Sequence, residues 1–318
     1  MTRSIAVASL LAAGLLAAAM PARAADHLRV AKPSAIGFGF SLLDVGIAAD
    51  IFKGHDLDVE AIVLDGSAKE HQAMAAGAID IGLGAGTDLA FVAKGVPEKG
   101  VAAIAGLPLN FGAMARNDGK INVVADLKGK SISASTVGST TYWFANQISV
   151  REGWTGADAM TIVPLGNFDA ARAALKTGNI DAISATIEGA LVLQKEGAGK
   201  LILAYGDLIK PFLNHVVFAS DDLMKNHPDP LRRFLKGWFE TVAWMKAHKD
   251  EGLRYSTVAT SLPPDIASKV FDIEMPMFLA DGHFDRAAVA VVMKSLVETG
   301  SLPSVPDNRT IFTEEFLN

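Results

Sequence analysis

Short apolar stretches alternate with longer amphipathic ones along most of the chain. Apolar runs of about five residues are typical of buried strands, and an apolar position every three or four residues is typical of a helix. The first half predicts strands at 28–31, 59–64, 79–83 and 101–104 and helices at 42–52, 68–76 and 89–94. The following part predicts strands at 130–133, 160–164, 180–184 and 201–204 and helices at 142–152, 169–176 and 189–195.

The two sets of predicted elements match at a constant offset of 101 residues, without a gap. Gly37 falls on Gly138, for example, and residues 77–80 (Gly-Ala-Ile-Asp) fall on residues 178–181 (Gly-Asn-Ile-Asp). The spacing of glycines, strands and helices is therefore shared. We interpret the chain as two similar α/β lobes.

The last part of the chain changes character. It predicts one more strand at 212–219, helices at 230–247, 264–271 and 287–299, and a short tail at 308–317. Because strands and helices no longer alternate, we expect this part to pack on an existing lobe. Residues 213–318 therefore join residues 25–112 to form the first lobe, and residues 113–212 form the second lobe.

This organisation predicts where a ligand binds. Strand–helix–strand units bury a parallel sheet between helices, and ligands of such sheets bind outside the carboxyl ends of the strands. Two facing lobes, joined by hinge strands near 109–115 and 211–217, would enclose a cleft lined by strand-to-helix loops. Helix starts in those loops offer unpaired backbone N–H groups.

The N-terminus has the pattern of an export signal. Arg3 precedes an apolar run at 5–20, and Ala22 and Ala24 fit a small-residue cleavage site. The alternative, a membrane anchor, needs about 20 apolar residues, whereas this run has 16. We expect residues 1–24 to be a removed signal peptide and the mature protein to be periplasmic.

Composition excludes several classes of function. With no cysteine there is no disulfide framework, thiol nucleophile or thiolate metal site. The seven histidines are scattered, with no pair at metal-ligand spacing, so we expect no metal and no cofactor. A net charge of −6 argues against nucleic acid as a partner.

Two loops of the predicted first lobe are candidate ligand contacts. Residues 36–41 lie between the first strand and its helix, and we select Phe38 and Ser41, whose hydroxyl could cap that helix. A dinucleotide fingerprint is excluded because no third glycine follows. At 84–88 we select Gly86, which lets a ligand approach the backbone, and Thr87, which could instead only cap its helix.

The loop at 135–143 is the most polar one in the predicted second lobe. Its hydroxyls at a helix start suit an oxyanion or carboxylate, and we select Ser139, Thr140 and Thr141. Capping of the helix is the structural alternative. The aromatic side chains that follow at 142–143 could stack on a ligand or lie in the core.

The fourth loop, at 185–189, matches the second loop in the repeat and carries Glu188 in place of Thr87. Its carboxylate either complements the helix dipole or receives an amine. Asn167, Asn214 and His215 are weaker candidates, and His215 could equally be a core histidine. No arginine or lysine lies in the four loops, so a charged anion would depend on backbone and hydroxyl donors.

The mature chain resembles the nitrate, sulfonate and taurine class of ABC-transporter substrate-binding proteins, which includes the thiamine-pyrimidine-precursor-like members. The residues that carry the resemblance are 77–82 (Gly-Ala-Ile-Asp-Ile-Gly), 126–132 (Asp-Leu-Lys-Gly-Lys-Ser-Ile), 137–140 (Val-Gly-Ser-Thr), 178–182 (Gly-Asn-Ile-Asp-Ala) and 226–229 (Asn-His-Pro-Asp).

The resemblance implies a type II periplasmic-binding-protein fold that closes around a small-molecule ligand by hinge motion. It also implies a monomer that delivers this ligand to an ABC permease in the inner membrane. Sulfonate-binding relatives tend to carry an aromatic or Trp-acid-Pro segment where residues 186–189 read Thr-Ile-Glu-Gly. Nitrogen-containing ligands therefore stay open beside sulfonate, taurine and nitrate.

Two other functions are compatible with the same fold. An enzyme is one, but the pyrimidine synthase among the relatives carries a cysteine-rich motif that this chain lacks, and no Gly-x-Ser-x-Gly is present. We therefore expect no catalysis. A sensor-type binding protein that docks on a membrane receptor is the other, and the sequence does not separate it from a transport protein.

Overall fold

Two five-stranded sheets organise the computed structural model, which describes residues 25–35, 37–64 and 66–317. The strands are β1 (Asp26–Lys32), β2 (Leu57–Val63), β3 (Ile81–Ala85), β4 (Glu98–Ala105), β5 (Phe111–Arg116), β6 (Ser131–Ala134), β7 (Thr161–Pro164), β8 (Ala182–Thr186), β9 (Gly199–Ala204) and β10 (His215–Ser220). The first sheet has the order β2-β1-β3-β10-β4, and the second has the order β7-β6-β8-β5-β9. The predicted signal peptide lies outside the described residues.

Fourteen α-helices cover the sheets within the described part of the chain. They are α1 (Phe38–Ala48), α2 (Ile51–Gly54), α3 (Ser67–Ala75), α4 (Leu89–Ala93), α5 (Thr140–Glu152), α6 (Phe168–Thr177), α7 (Ile187–Lys195), α8 (Tyr205–Leu208), α9 (Asp221–Asn226), α10 (Pro228–Ala247), α11 (Lys249–Thr260), α12 (Pro264–Glu274), α13 (Arg286–Glu298) and α14 (Asn308–Ile311). None of the helices described is both long and apolar enough to cross a membrane.

The predicted repeat is visible in the elements. The bounds of β3 and β8 differ by 101 residues at both ends, and α3 and α6 start 101 residues apart. In each sheet the strands of one repeat run parallel, and one antiparallel strand is inserted among them. The prediction of two α/β lobes is confirmed.

The two repeats exchange their last strands. β5 leaves the first repeat and pairs with β8 and β9 in the second sheet, while β10 leaves the second repeat and pairs with β3 and β4. The chain therefore crosses between the sheets twice, close to the predicted hinge strands. The residue boundaries predicted for the two lobes, 25–112 with 213–318 and 113–212, stay a proposal.

The C-terminal helices build much of the first lobe. Trp238 of α10 and Val270 of α12 are fully buried in one apolar cluster with Leu42 of α1 and Val30 of β1. The first lobe is defined as the first sheet with its helices and α10–α12. The second lobe is defined as the second sheet with α5–α8.

Several helical segments differ from the prediction, and the short helices α8 and α9 had no predicted counterpart. α1 begins at Phe38 rather than residue 42 and ends before Asp50, whose φ of 54° turns the chain before α2. As a result Ser41 lies inside the helix and Gly37 is its N-cap, so the predicted cap by Ser41 is wrong. α11 was not predicted because its buried face consists of small, mostly polar residues.

Candidate functional site

A cavity of about 300 Å³ lies between the two lobes. The ends of β1, β3 and β8, the starts of several helices and both crossings between the sheets contribute to its walls. Its lining residues are Pro33, Ser34, Gly37, Gly39, Phe40, Ser67, Ala85, Gly86, Thr87, Asn110, Phe111, Thr140, Thr186, Glu188, Phe212, Asn214, His215 and Leu262. The cavity is thus at the carboxyl ends of parallel strands, where sheets of this kind bind ligands.

The crossings form the floor of the cavity. Asn214 donates from Nδ2 to Asn110 Oδ1 at 2.7 Å, which ties the two crossing segments together. The backbone N–H of Gly86 donates to the Asn214 carbonyl at 2.8 Å. A Cβ at residue 86 would lie 2.1 Å from the carbonyl oxygen of Leu213, so only glycine fits this close approach of loop and hinge.

His215 is held against the start of α1. Its ring packs against the ring of Phe40 in a tilted arrangement, with centroids 4.5 Å apart, and a Cβ at residue 39 would lie 2.7 Å from its Cε1, which explains Gly39. Burial lowers the pKa of His215 to about 4, although the charge of Asp88 opposes the shift. The imidazole is therefore neutral at pH 7, and its buried Nδ1 has no hydrogen-bond partner among the described residues.

Hydroxyl groups meet across the cleft. Thr87 Oγ1 of the first lobe lies 3.3 Å from Thr140 Oγ1 of the second lobe. Thr140 is the first residue of α5, and Ser139 caps that helix by accepting the N–H of Tyr142 at 3.2 Å. The two threonines are therefore placed to contact the same ligand from opposite walls.

Glu188 is the acidic residue of the lining. It belongs to α7 of the second lobe, and its Oε1 accepts the N–H of Phe38 in the first lobe at 3.2 Å. Its Oε2 is buried and accepts no hydrogen bond from the described residues. Burial raises the pKa of Glu188, against the N–H groups of Phe38 and Glu188 and the Thr186 hydroxyl. No arginine or lysine is among the residues that line the cavity.

A buried ionisable cluster, defined as Glu70, His71, Asp88 and Glu98, lies beneath the turn that follows β3. His71 Nδ1 is 2.5 Å from Glu98 Oε1, and Asp88 Oδ2 accepts the N–H of Ala85 at 2.8 Å. Burial lowers the pKa of His71, but its two carboxylate neighbours outweigh burial and raise it to about 10. Burial and the charge of Asp88 raise the pKa of Glu70 to about 9. The cluster thus fixes the turn that carries Gly86.

Six of the eleven residues named as candidate ligand contacts line the cavity: Gly86, Thr87, Thr140, Glu188, Asn214 and His215. The other five lie outside its lining, and their ligand contacts stay a prediction; they are Phe38, Ser41, Ser139, Thr141 and Asn167.

Most of the residues outside the lining have a structural partner. Ser41 donates to the carbonyl of Phe38 at 2.7 Å, and Asn167 caps α6 by accepting the N–H of Ala170 at 3.0 Å. Thr141 Oγ1 accepts the N–H of Ser135 at 3.2 Å. Thr141 and Asn167 also line a neighbouring cavity of about 230 Å³ that shares Thr186 with the main one.

Sequence reasoning missed the residues supplied by the crossings, above all Asn110, Phe111 and Phe212. The predicted hinge positions were the signal that could have identified them. Leu262 comes from the C-terminal part of the chain and has no local signature of a site. Within the described residues, no group of three or more His, Cys, Asp or Glu side chains is arranged to hold a metal ion.

Comparison with known proteins identifies relatives. The family model described as NMT1/THI5 like matches residues 43–252. Among curated proteins, no sequence matches the chain significantly.

Solved structures share the fold. The periplasmic aliphatic sulphonate binding protein SsuA from Escherichia coli is 17% identical, with a TM-score of 0.75 over 91% of this chain and 92% of that chain. The alkanesulfonate-binding protein SsuA from Xanthomonas axonopodis pv. citri, bound to MOPS, is 15% identical, with a TM-score of 0.70 over 90% and 98%. A variant of the desulfurization enzyme DszB in complex with biphenyl-2-sulfinic acid is 16% identical, with a TM-score of 0.70 over 92% and 98%. The predicted two-lobed periplasmic-binding-protein fold is confirmed.

Proposed function

The chain belongs to the NMT1/THI5-like family, and on this basis we propose that it is a periplasmic solute-binding protein of an ABC importer. It captures a small organic ligand between its lobes by hinge closure and presents the closed complex to a permease. The observation that carries the proposal is the cavity of about 300 Å³ whose walls come from both lobes and both crossings. A volume of this size suits a small organic molecule.

The lining favours a ligand with an apolar body and several uncharged hydrogen-bonding groups. Phe40, Phe111, Phe212 and Leu262 supply apolar surface, and the polar side chains of the lining are hydroxyls, amides and an imidazole apart from Glu188. Burial of a free oxyanion without a cationic partner is costly. We therefore propose an organic ligand whose polar groups are uncharged or contain nitrogen, in preference to the inorganic nitrate anion. Organic sulfonates are the alternative ligand class, because the names of the two SsuA proteins mention them. Binding tests would distinguish the two ligand classes.

A thermal-shift screen tests the proposal. Aromatic amines, pyrimidines, aromatic carboxylates and alkanesulfonates are compared, and a ligand at 100 times its dissociation constant is expected to stabilise the folded state by about 2.7 kcal/mol. Small-angle scattering with the same ligand is expected to show a more compact particle. The absence of stabilisation by every class would contradict a solute-binding function.

Thr140→Ala is expected to weaken binding of the ligand found in this way by about three- to tenfold, because one hydrogen bond contributes about 0.5–1.5 kcal/mol. Titration calorimetry measures the change. Thr177→Ala is the matched control, since Thr177 is an exposed threonine at the end of α6. Equal affinities of the two variants would remove Thr140 from the site.

An enzyme is the second candidate function, and the DszB fold is the observation that favours it. Conversion of a bound ligand by the purified protein, followed by mass spectrometry, would support it. Binding without conversion leaves transport or sensing. Uptake of the ligand by cells that lack the protein separates these two roles.

A further inference from the structure

Two helices from opposite lobes meet beside the cavity. α7 of the second lobe and α12 of the first are joined by an ion pair in which Lys195 Nζ lies 2.8 Å from Asp265 Oδ1. At the other end of both helices, Glu188 Oε1 accepts the N–H of Phe38, and the Phe38 ring packs edge-on against Phe271 of α12, about one turn before Glu274. The two helices therefore run in opposite directions, with an attractive contact at one end and two like groups at the other.

The two carboxyl groups are poorly compensated. Glu274 is fully buried, and neither of its oxygens accepts a hydrogen bond from the described residues. Glu188 accepts the N–H of Phe38 at Oε1, and its own N–H and the Thr186 hydroxyl also favour the ionised form, while its buried Oε2 accepts no hydrogen bond from the described residues. Burial raises the pKa of both groups, and the charge of Glu188 adds to the shift at Glu274.

Within the described part of the chain, the cations on the elements packed against this pair are either paired with a carboxylate or exposed, and Arg254 of α11 is exposed and lies over the ring of Tyr255. On β1 and α1, Lys32 pairs with Asp44, and on α11 Lys249 pairs with Asp272. Lys195 is engaged with Asp265, the remaining lysine of α12, Lys269, is exposed, and His215 in the cavity wall is neutral at pH 7.

We propose that Glu274 is a positioning residue that acts through Glu188 and makes closure of the two lobes dependent on uptake of a proton. When the lobes separate, α7 leaves α12 and water solvates the carboxylates. Closure buries them together, and two adjacent carboxylates cannot both stay ionised in one buried space. A group that binds a proton only in the closed form favours that form as the pH falls. The proposal goes beyond the proposed function and rests on the lobe movement that this function requires.

The test needs no ligand. The chain has no cysteine, so Lys69→Cys on α3 and Asp169→Cys on α6 give two unique label sites at exposed positions, one on each lobe. Distances between two spin labels are measured in the ligand-free protein from pH 5 to 8.5. We expect the population with the shorter distance to grow as the pH falls, by up to about tenfold per pH unit for one linked proton.

Variants separate this role from simple packing. Glu274→Gln is expected to close at all pH values and to lose most of the pH dependence, whereas Glu274→Asp is expected to retain it. Lys195→Gln, which removes the attractive contact of the same helix pair, is the control. It is expected to lower the closed population equally at every pH.

Two results would overturn the proposal: label distances in the parent protein that do not change with pH, or a Glu274→Gln protein that keeps the full pH dependence. If Glu274→Gln does not fold, Glu188→Gln on the other lobe replaces it with the same expected outcome. Ligand-dependent stabilisation is measured separately, so failure here leaves the solute-binding function standing.

Discussion

Replacing Gly86 with alanine is expected to destabilise the protein by about 3 kcal/mol, at the upper end of what overpacking costs. The added methyl group would lie 2.1 Å from the Leu213 carbonyl oxygen, and a backbone atom of the hinge cannot move aside as a side chain can. The same shift would break the hydrogen bond from the Gly86 N–H to Asn214. Thermal unfolding is expected to show a melting temperature lower by roughly 5 °C.

Gly54→Ala is the matched control for this substitution. Gly54 is an exposed residue of α2, and a Cβ there would meet nothing within 4 Å. We expect a change in stability of less than about 1 kcal/mol, because alanine is favoured over glycine in helices. Similar losses in both variants would show that the hinge contact is not the cause.

Glu70→Gln is expected to change how stability depends on pH. The pKa of Glu70 is about 9 in the folded protein and near the ordinary value of 4.5 when unfolded. Between these values the unfolded chain loses the proton that the folded protein keeps, so this group makes stability fall as the pH rises. The variant lacks that penalty. Its stability relative to the parent should therefore rise by up to about 1.4 kcal/mol per pH unit.

Urea unfolding of both proteins between pH 4.5 and 8 measures this effect. At the acidic end the carboxyl group is neutral in the folded protein and half protonated in the unfolded chain. The low-pH comparison therefore lies within about 0.4 kcal/mol of the cost of exchanging a neutral carboxyl for an amide. A difference in stability that stays constant across the pH range would mean that Glu70 ionises normally. Glu70 does not itself line the cavity, so this measurement needs no ligand.

Periodicity predicted the elements of the two sheets because their apolar residues form short continuous runs that alternate with amphipathic stretches. The offset of 101 residues even places β3 and β8 in equivalent positions. α11 escaped prediction for a physical reason. Its buried positions, Gly252, Ser256 and Thr260, are four residues apart, but they are small and polar, so the helix packs closely without an apolar stripe.

The site was predicted only in part, for a related reason. Local patterns show which residues follow strands and start helices, and this is enough for Thr87, Thr140 and Glu188. They do not show which segments approach one another across two lobes. Asn110 depends on the path of a crossing, and the meeting of Glu274 with Glu188 depends on how the late helices pack.

The exchange of strands between the repeats has a consequence for the order of events during biosynthesis. β10 lies between β3 and β4 in the first sheet, although the whole second sheet separates it from them in the chain. A nascent chain that emerges amino end first therefore has two open strand edges until residue 220 appears, and open edges are templates for aggregation. Chaperones would need to bind the amino-terminal half until residue 220 has been synthesised. In a chain threaded through a secretion channel, the same delay would keep the leading half unfolded enough to pass.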